Sequence, residues 1–584
     1  MTHYKVLFIS CLILCFSNSY AQNMNKIFEE FTATFLEKYW KLNPASASYQ
    51  GLSQYDAQLP IPNEVNHQNK VVQYQELTNQ LHQYNPKHLS PTNRTDYYLL
   101  DNLIVSKLWY LQEYKGYEWN PTSYNIMGQF HKITKSEQGL KHQIDAIYSK
   151  LLQIPAYYEA ARNNLKDPTL EHTNLAIQQL KGGLSILEKD IPQLMETYSN
   201  KKIKKRISKR KLQKAHESAL NSINQFINWL DNDLRPKLEK NEKRRSFVLG
   251  KKLYDKKFKL DIETDYTSQQ IYDKGIKEKA EIHIKMKQIT QELWPKYFKE
   301  SLKTVELSHV QQLIDKLSQN HVNREEYVDA IRQQIPELEA FVKEKDLIYL
   351  DPKKPLEVRE TPAYMRGVAG ASISAPGPYE KNRPTYYNVT PLDNYSPEEA
   401  ESYLKEYNHY ILQILNIHEA VPGHYTQLIY ANKAPSLIKS LFGNGTMIEG
   451  WACYVERMML EEGYGENAPE MWLMYYKWNL REICNALIDI GVHTQGMTEK
   501  DVIDLLTNEA FQESAEAQGK WRRVSLTQVQ LCSYYTGLME IYEFREAWKK
   551  HKKDKYDIKL FHTQFLGYGS APVKHIKTLM YEEY

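Results

Sequence analysis

Apolar residues return at every third or fourth position through most of the chain, and that spacing leaves few folds open. In "MNKIFEEFTATFLEKYWKL" (24–42) it puts Ile27, Phe28, Phe31, Phe35, Leu36 and Tyr39 on one helical face. "LEHTNLAIQQLKGGLSILEKDIPQLMETY" (170–198) repeats the theme, with Pro192 as a break. Further amphipathic runs cover 216–240, 268–294, 397–418, 447–461, 469–491 and 522–549. Turn signals separate them: "PIPNE" near 62, "DPKKP" at 351–355 and "GYGENAPE" at 463–470. The pattern predicts a mainly α protein, large and helical. Its 584 residues suffice for two lobes, about 22–350 and 351–584.

One region departs from the helical period. "RGVAGASISAPGPYEKNRPTYYNVTPLDNYSP" (366–397) is rich in Gly, Pro, Ser, Thr and Tyr. Its β-prone runs "ASISA" and "PTYYNVT" predict a small hairpin or edge ribbon.

The first 21 residues read as a secretory signal peptide. Lys5 precedes an apolar core from Val6 to Phe16, and Ser19 and Ala21 supply small residues before a cleavage point. Leu14 before Cys15 argues against a lipoprotein signal and for cleavage after Ala21. The mature protein, 22–584, is expected to be exported, to the periplasm or beyond. No later segment offers about 18 uncharged apolar residues, so no integral membrane segment is expected. Cleavage leaves Cys453, Cys484 and Cys532, which read as core residues and not as a disulfide framework. A net charge of +3 implies no nucleic-acid partner. The basic run "KKIKKRISKRK" (201–211) reads as a solvated helix face. Nothing in the sequence fixes an oligomeric state.

The chemistry concentrates in "NIHEAVPGHYTQ" (416–427). Zinc takes neutral imidazoles and carboxylates and, in catalytic sites, keeps one position open. His418 and His424 are six residues apart, about 240° around a regular helix and about 9 Å along it. An unbroken helix would point them apart. Pro422 removes the N–H that would bond to His418 O and crowds that carbonyl. Gly423 admits backbone angles closed to other residues. The sequence therefore predicts a kink or bulge that brings His424 back beside His418. In "MIEGWACYVERMM" (447–459), Glu449 is available as a third ligand. Glu419 then adjoins the metal without binding it, which suits a general base for a water whose pKa zinc lowers towards about 7. The plainer alternative is a helix end that happens to carry histidines.

"HEAVPGHYTQ" followed by "EGWACYVE" resembles the DUF885 family, whose pattern is HEAxPGHHxQ and then EGWAxYxE. The likeness extends through "NPASASYQGLSQYDAQLP" (43–60), "LGKKLYDKKFKLDIETDYTSQQIYDKG" (249–275), "NRPTYYNVT" (382–390), "DIGVHTQGMT" (489–498) and "FHTQFLGYGSAPV" (561–573). The resemblance implies a helical fold with a deep cleft beside the HE helix and a zinc metallopeptidase of gluzincin-like type. It implies His418, His424 and Glu449 as ligands and Glu419 as base. Tyr425 stands where the family often has a second His, which favours His424 as the ligand. Cys453 stands where some gluzincins place an acid, and Glu456, on the Glu449 face, is the substitute.

Around this centre, Tyr534 occupies a position where the family usually carries a Tyr and is the candidate oxyanion donor. Arg523 and Gln530, on the same helical stretch, are candidates to hold a substrate carboxylate or backbone. His493, four residues after Asp489, is a second candidate to steady an oxyanion; a capped helix end is its plainer reading. The resemblance and the order of elements place Arg383, with Tyr387 and Asn388, on an edge strand that could pair with an extended peptide. The expectation is an exported zinc peptidase acting on short peptides. A non-catalytic helical binding protein and a zinc hydrolase of another amide or ester, such as cell-wall peptide, are the alternatives.

Overall fold

The computed structural model describes residues 23–201, 206–361, 370–379 and 384–584. The signal segment and Arg383 lie outside the described residues. The chain divides into two compact units between Phe247 and Val248, not near residue 350. The physical reason lies in the helix after residue 267, which packs within the second unit.

The first unit is built from helices. α1 (Leu140–Asn164) buries Ile144, Ile147, Leu151, Ile154, Tyr158 and Ala161. Their alternating three- and four-residue steps form one stripe. α2 (Lys209–Asn228) answers with Leu212, Ala215, Ala219, Ile223 and Phe226. Ser208 caps α2 by accepting the Lys211 N–H. The basic run thus ends as the exposed face of a helix whose other face joins this core.

The second unit is mainly α with one small sheet. α3 (Ser268–Phe298) opens with a capping box between Thr267 and Gln270. It packs on α7 (Pro469–Ile490), where a Cβ on Gly275 would sit 3.0 Å from Leu487 Cδ2. α7 is buried on nearly every face, as suits the central helix of a unit. The sheet has the order β1 (Leu356–Glu360), β3 (Thr385–Val389), β2 (Ala371–Ser374). β2 and β3 are the expected hairpin, with Ile373 opposite Tyr387. β1, parallel to β3, was masked in the sequence by the turn signal before it.

The remaining elements follow: α4 (His409–Glu419), α5 (His424–Ala431), α6 (Gly445–Glu461), α8 (Ser514–Leu526), α9 (Cys532–Lys552) and α10 (Ile558–Gly567). Two runs that read as single helices are broken. The 397–418 run stops at Glu406, and Asn408 starts α4 by accepting the Tyr410 and Ile411 N–H groups. The 522–549 run is interrupted between Leu526 and Cys532, where Val529 takes φ 73°. All three described cysteines are buried and unpaired. No helix among the described residues is long and apolar enough to cross a membrane.

Candidate functional site

The break at Pro422 is complete: α4 ends at Glu419 and α5 begins at His424. Gly423 stands at φ −74° and ψ −131°, and close approach rules out any side chain there. A Cβ there would lie 1.8 Å from His418 O and 2.3 Å from Ile417 O. The chain turns so tightly over the end of α4 that only hydrogen fits. Trp451 Nε1–H, from α6, donates to Pro422 O at 2.9 Å and pins the turn. A buried carbonyl that the break leaves open is thereby satisfied.

α6 is held as closely. Asn444 caps it through the Met447 N–H at 2.8 Å. Gly450 meets Gly537 of α9, and a Cβ on Gly450 would stand 2.4 Å from Gly537 Cα. Backbone therefore lies against backbone at this crossing. These constraints bring three side chains to one point. Glu449 Oε2 is 3.4 Å from His424 Nε2 and 3.8 Å from His418 Nε2. The two imidazoles stand 4.7 Å apart at 88°. Ligands bonded to zinc at 2.0–2.1 Å in a tetrahedron are about 3.3 Å from one another, so the spacing fits one ion. A Glu419 oxygen lies within 4.8 Å of ligand nitrogens on both histidines.

A second layer backs this set. His418 Nδ1 faces Glu456 Oε1 at 2.6 Å, and Trp478 Nε1–H donates to the same oxygen at 3.1 Å. Such a carboxylate fixes the tautomer and orientation of a ligating imidazole. Glu482 and Cys453 complete a fully buried group with His418 and Glu456 that also has the spacing of a metal set. Burial and the Glu456 charge push Glu482 well above the usual carboxylate range. Burial likewise raises Glu456, against the pull of His418. Both shifts run in the direction that two neighbouring carboxyls in a dry pocket dictate. Burial alone would depress His418, but its bonds to Glu449 and Glu456 overcome this and raise it. Burial would raise Glu449, yet His418 and His424 hold it well below the ordinary range.

His418 and Glu419 open on a cavity of about 510 Å³ that Tyr534 and Arg523 also line. Arg523 Nη2 donates to Gln530 Oε1 at 2.7 Å and to the Tyr534 oxygen at 3.1 Å. Arg523 and Gln530 are not on one continuous helix. The turn between α8 and α9 folds Gln530 and Tyr534 back onto Arg523. Asp489 makes that turn, accepting the Val529 N–H at 2.8 Å and the Tyr254 O–H at 2.6 Å.

His493 is elsewhere. Hydrogen bonding widens to i→i+5 over Gly491–Gln495, and the expected pairing with Asp489 gives way. His493 Nδ1 accepts the Leu249 N–H at 3.4 Å, so Nε2–H donates to Val524 O at 3.1 Å. The ring is fully buried and does not line the cavity. Both nitrogens are occupied by main chain, so it does not serve as an oxyanion donor. β3 is the central strand, with Tyr387 bonded to Asn416 and Asn388 to Arg359. Its two edges are taken; the strand reaching the cavity is β2, through Ala371. Tyr425 turns away and donates to Lys354 O.

The profile of a family described as "Bacterial protein of unknown function (DUF885)" matches residues 44–580. The chain belongs to the DUF885 family. No curated protein matches it. A solved structure from Shewanella oneidensis, described as a "putative lipoprotein of unknown function", is similar at 48% identity. Its TM-score is 0.87, over 95% of this chain and 99% of that one. A "putative lipoprotein" from Colwellia psychrerythraea has a TM-score of 0.73 at 17% identity, over 96% and 98% of the two chains, and shares the fold. The DUF885 motifs now have physical meanings. In "HEAVPGH", proline ends one helix and glycine lets the next start against it. In "EGW", Glu449 joins the histidines, Gly450 lets α9 approach, and Trp451 holds the turn. The sequence reading missed Gly537 and Trp451; a glycine opposite a glycine has no local signal.

Proposed function

We propose that this DUF885 protein is an exported, zinc-dependent hydrolase of amide bonds in short peptides. The convergence of His418, His424 and Glu449 at near-tetrahedral spacing, with Glu419 beside them, carries the reading. The donor set suits zinc: two imidazoles, one carboxylate, and a carboxylate on the far nitrogen of His418. A zinc ion held there would supply Lewis-acid polarisation and would lower the pKa of water. Glu419 takes a proton from the attacking water and returns it to the leaving amine nitrogen. The Tyr534 oxygen already accepts from Arg523, so its own O–H is free to donate to the oxyanion that develops on the substrate carbonyl. The apolar start of the sequence and the likeness to the putative lipoprotein of Shewanella oneidensis support export.

The test is metal analysis and hydrolysis together. The purified protein is expected to hold about one zinc per chain and to cleave members of a mixed short-peptide library. Glu419→Gln should keep the zinc and lose about 10²–10⁴-fold in turnover. Full turnover in that variant would exclude the base. Zinc without any hydrolysis would favour a binding protein.

A further inference from the structure

The cavity changes character away from the metal ligands. His418 and Glu419 belong to its lining, and Arg481 from α7 and Lys520 and Arg523 from α8 line the same space. Their carboxylate partners are few. Arg481 Nη2 meets Glu516 Oε1 at 2.8 Å. Lys520 Nζ is 3.8 Å from that same oxygen, beyond hydrogen-bond reach. Arg523 is hydrogen-bonded by its Nη2 to the neutral Gln530 and Tyr534. Of the other nearby acids, Glu406 is engaged by Lys477 at 2.7 Å, and Glu482, which also lines the cavity, is pushed well above the usual carboxylate range by burial. Arg481 Nη1 is buried with no hydrogen-bond partner among the described residues. Burial drives Lys520 well below its usual range, and the Arg481 and Arg523 charges add to this against the pull of Glu516. Arg481 and Arg523 keep this wall positive, an arriving anion would favour the charged form of Lys520, and the wall shares one cavity with His418 and Glu419.

We propose that Arg481, Lys520 and Arg523 receive the free α-carboxylate of a short peptide, so that the protein cleaves near the C-terminus. The proposal rests on the hydrolase reading and assigns its substrate polarity. A guanidinium fork and an ammonium suit a terminal carboxylate, with its two oxygens, better than a neutral backbone. With that end anchored, the peptide runs back towards Glu419, and the enclosed volume admits only a short segment beyond the scissile bond. In the reaction, water oxygen bonds to the carbonyl carbon and the C–N bond breaks. The water proton reaches the amine nitrogen through Glu419, leaving a new carboxylate and a short C-terminal product that still carries the anchored one.

Equilibrium dialysis of the zinc-loaded protein against a dipeptide mixture, and against the same mixture with amidated C-termini, separates the two ideas. The free acids are expected to bind at least 10-fold tighter, and cleavage of longer peptides should fall about 100-fold on amidation, mostly in KM. Arg523→Gln and Lys520→Met should bring the acid-to-amide ratio close to 1 with zinc content unchanged. Arg523→Lys should restore part of it, which a merely structural role would not do. Equal binding of acids and amides by the wild-type protein overturns the proposal, whether or not zinc is bound. Acid preference without hydrolysis keeps the carboxylate site and removes the hydrolase reading. Displacement of the acids by equimolar inorganic phosphate marks a general anion site and also overturns the proposal.

Discussion

His418 and His493 both lie near an acid in sequence and in space, both are buried, and they do different things. His418 commits Nδ1 to Glu456 and turns Nε2 towards Glu449, His424 and the cavity. His493 spends Nδ1 on Leu249 N–H and Nε2–H on Val524 O. Its neighbour Asp489 uses Oδ1 to accept from Tyr254 and Val529. One histidine has a nitrogen left for a ligand; the other is part of the scaffold. Burial pushes His493 below its ordinary range, as befits a neutral ring wedged into backbone. A histidine beside an acid is therefore a candidate only once the partners of both ring nitrogens are known.

The sharpest break of this comparison is a pair of variants. His418→Ala should reduce bound zinc to a small fraction and hydrolysis by at least about 10³-fold. His493→Ala should leave zinc content unchanged and lower unfolding free energy by about 2–4 kcal/mol, because two buried main-chain groups lose partners. Zinc loss in the second variant would erase the distinction.

A third histidine sharpens it. His562 is fully buried, with Nδ1 on Leu347 O and Nε2 on the Tyr454 hydroxyl, each at 2.8 Å. Burial, with the Arg545 charge also acting downward, lowers its pKa to about 4. Its unfolded value is about 6.5, so the unfolded chain takes the proton first as pH falls. Its contribution to stability is complete above pH 6.5 and is lost as pH drops towards 4, by up to about 3 kcal/mol. Denaturant midpoints at pH 7 and pH 4.5 should converge in His562→Gln relative to the wild type. An unchanged pH slope would remove His562 from the scaffold class.

The support behind His418 comes next. Glu456→Gln should weaken zinc affinity about 10–100-fold without removing a ligand, read by competition with a chelator. The smallest effect is expected at Asp489. Asp489→Asn keeps an acceptor for Val529 N–H and should cost about 1 kcal/mol. It should raise KM about two- to tenfold through a looser turn at Arg523, Gln530 and Tyr534, with zinc content unchanged.

How much was legible in the sequence follows the range of the forces involved. The helical class, the β2–β3 hairpin and the break at Pro422 were readable because each follows from a few adjacent residues. The period of three to four, the Gly- and Tyr-rich run and the missing proline N–H act over one turn of chain. The meeting of His418 and His424 was also readable, since the break at Pro422 supplied a reason for a six-residue spacing. The continuous helix across 522–549 was not sustained. Its interruption depends on Asp489, far away in sequence, which accepts the Val529 N–H.

By itself the sequence determined the helices, the point where one of them must stop, and the family to which the chain belongs. Only the tertiary structure decided which buried histidine keeps a free nitrogen, that Gly450 and Gly537 bring α6 and α9 together, and that Arg481, Lys520 and Arg523 line one cavity. Periodicity and proline sterics act along the chain, whereas hydrogen-bond partners and unbalanced charge are set by residues that meet only after packing.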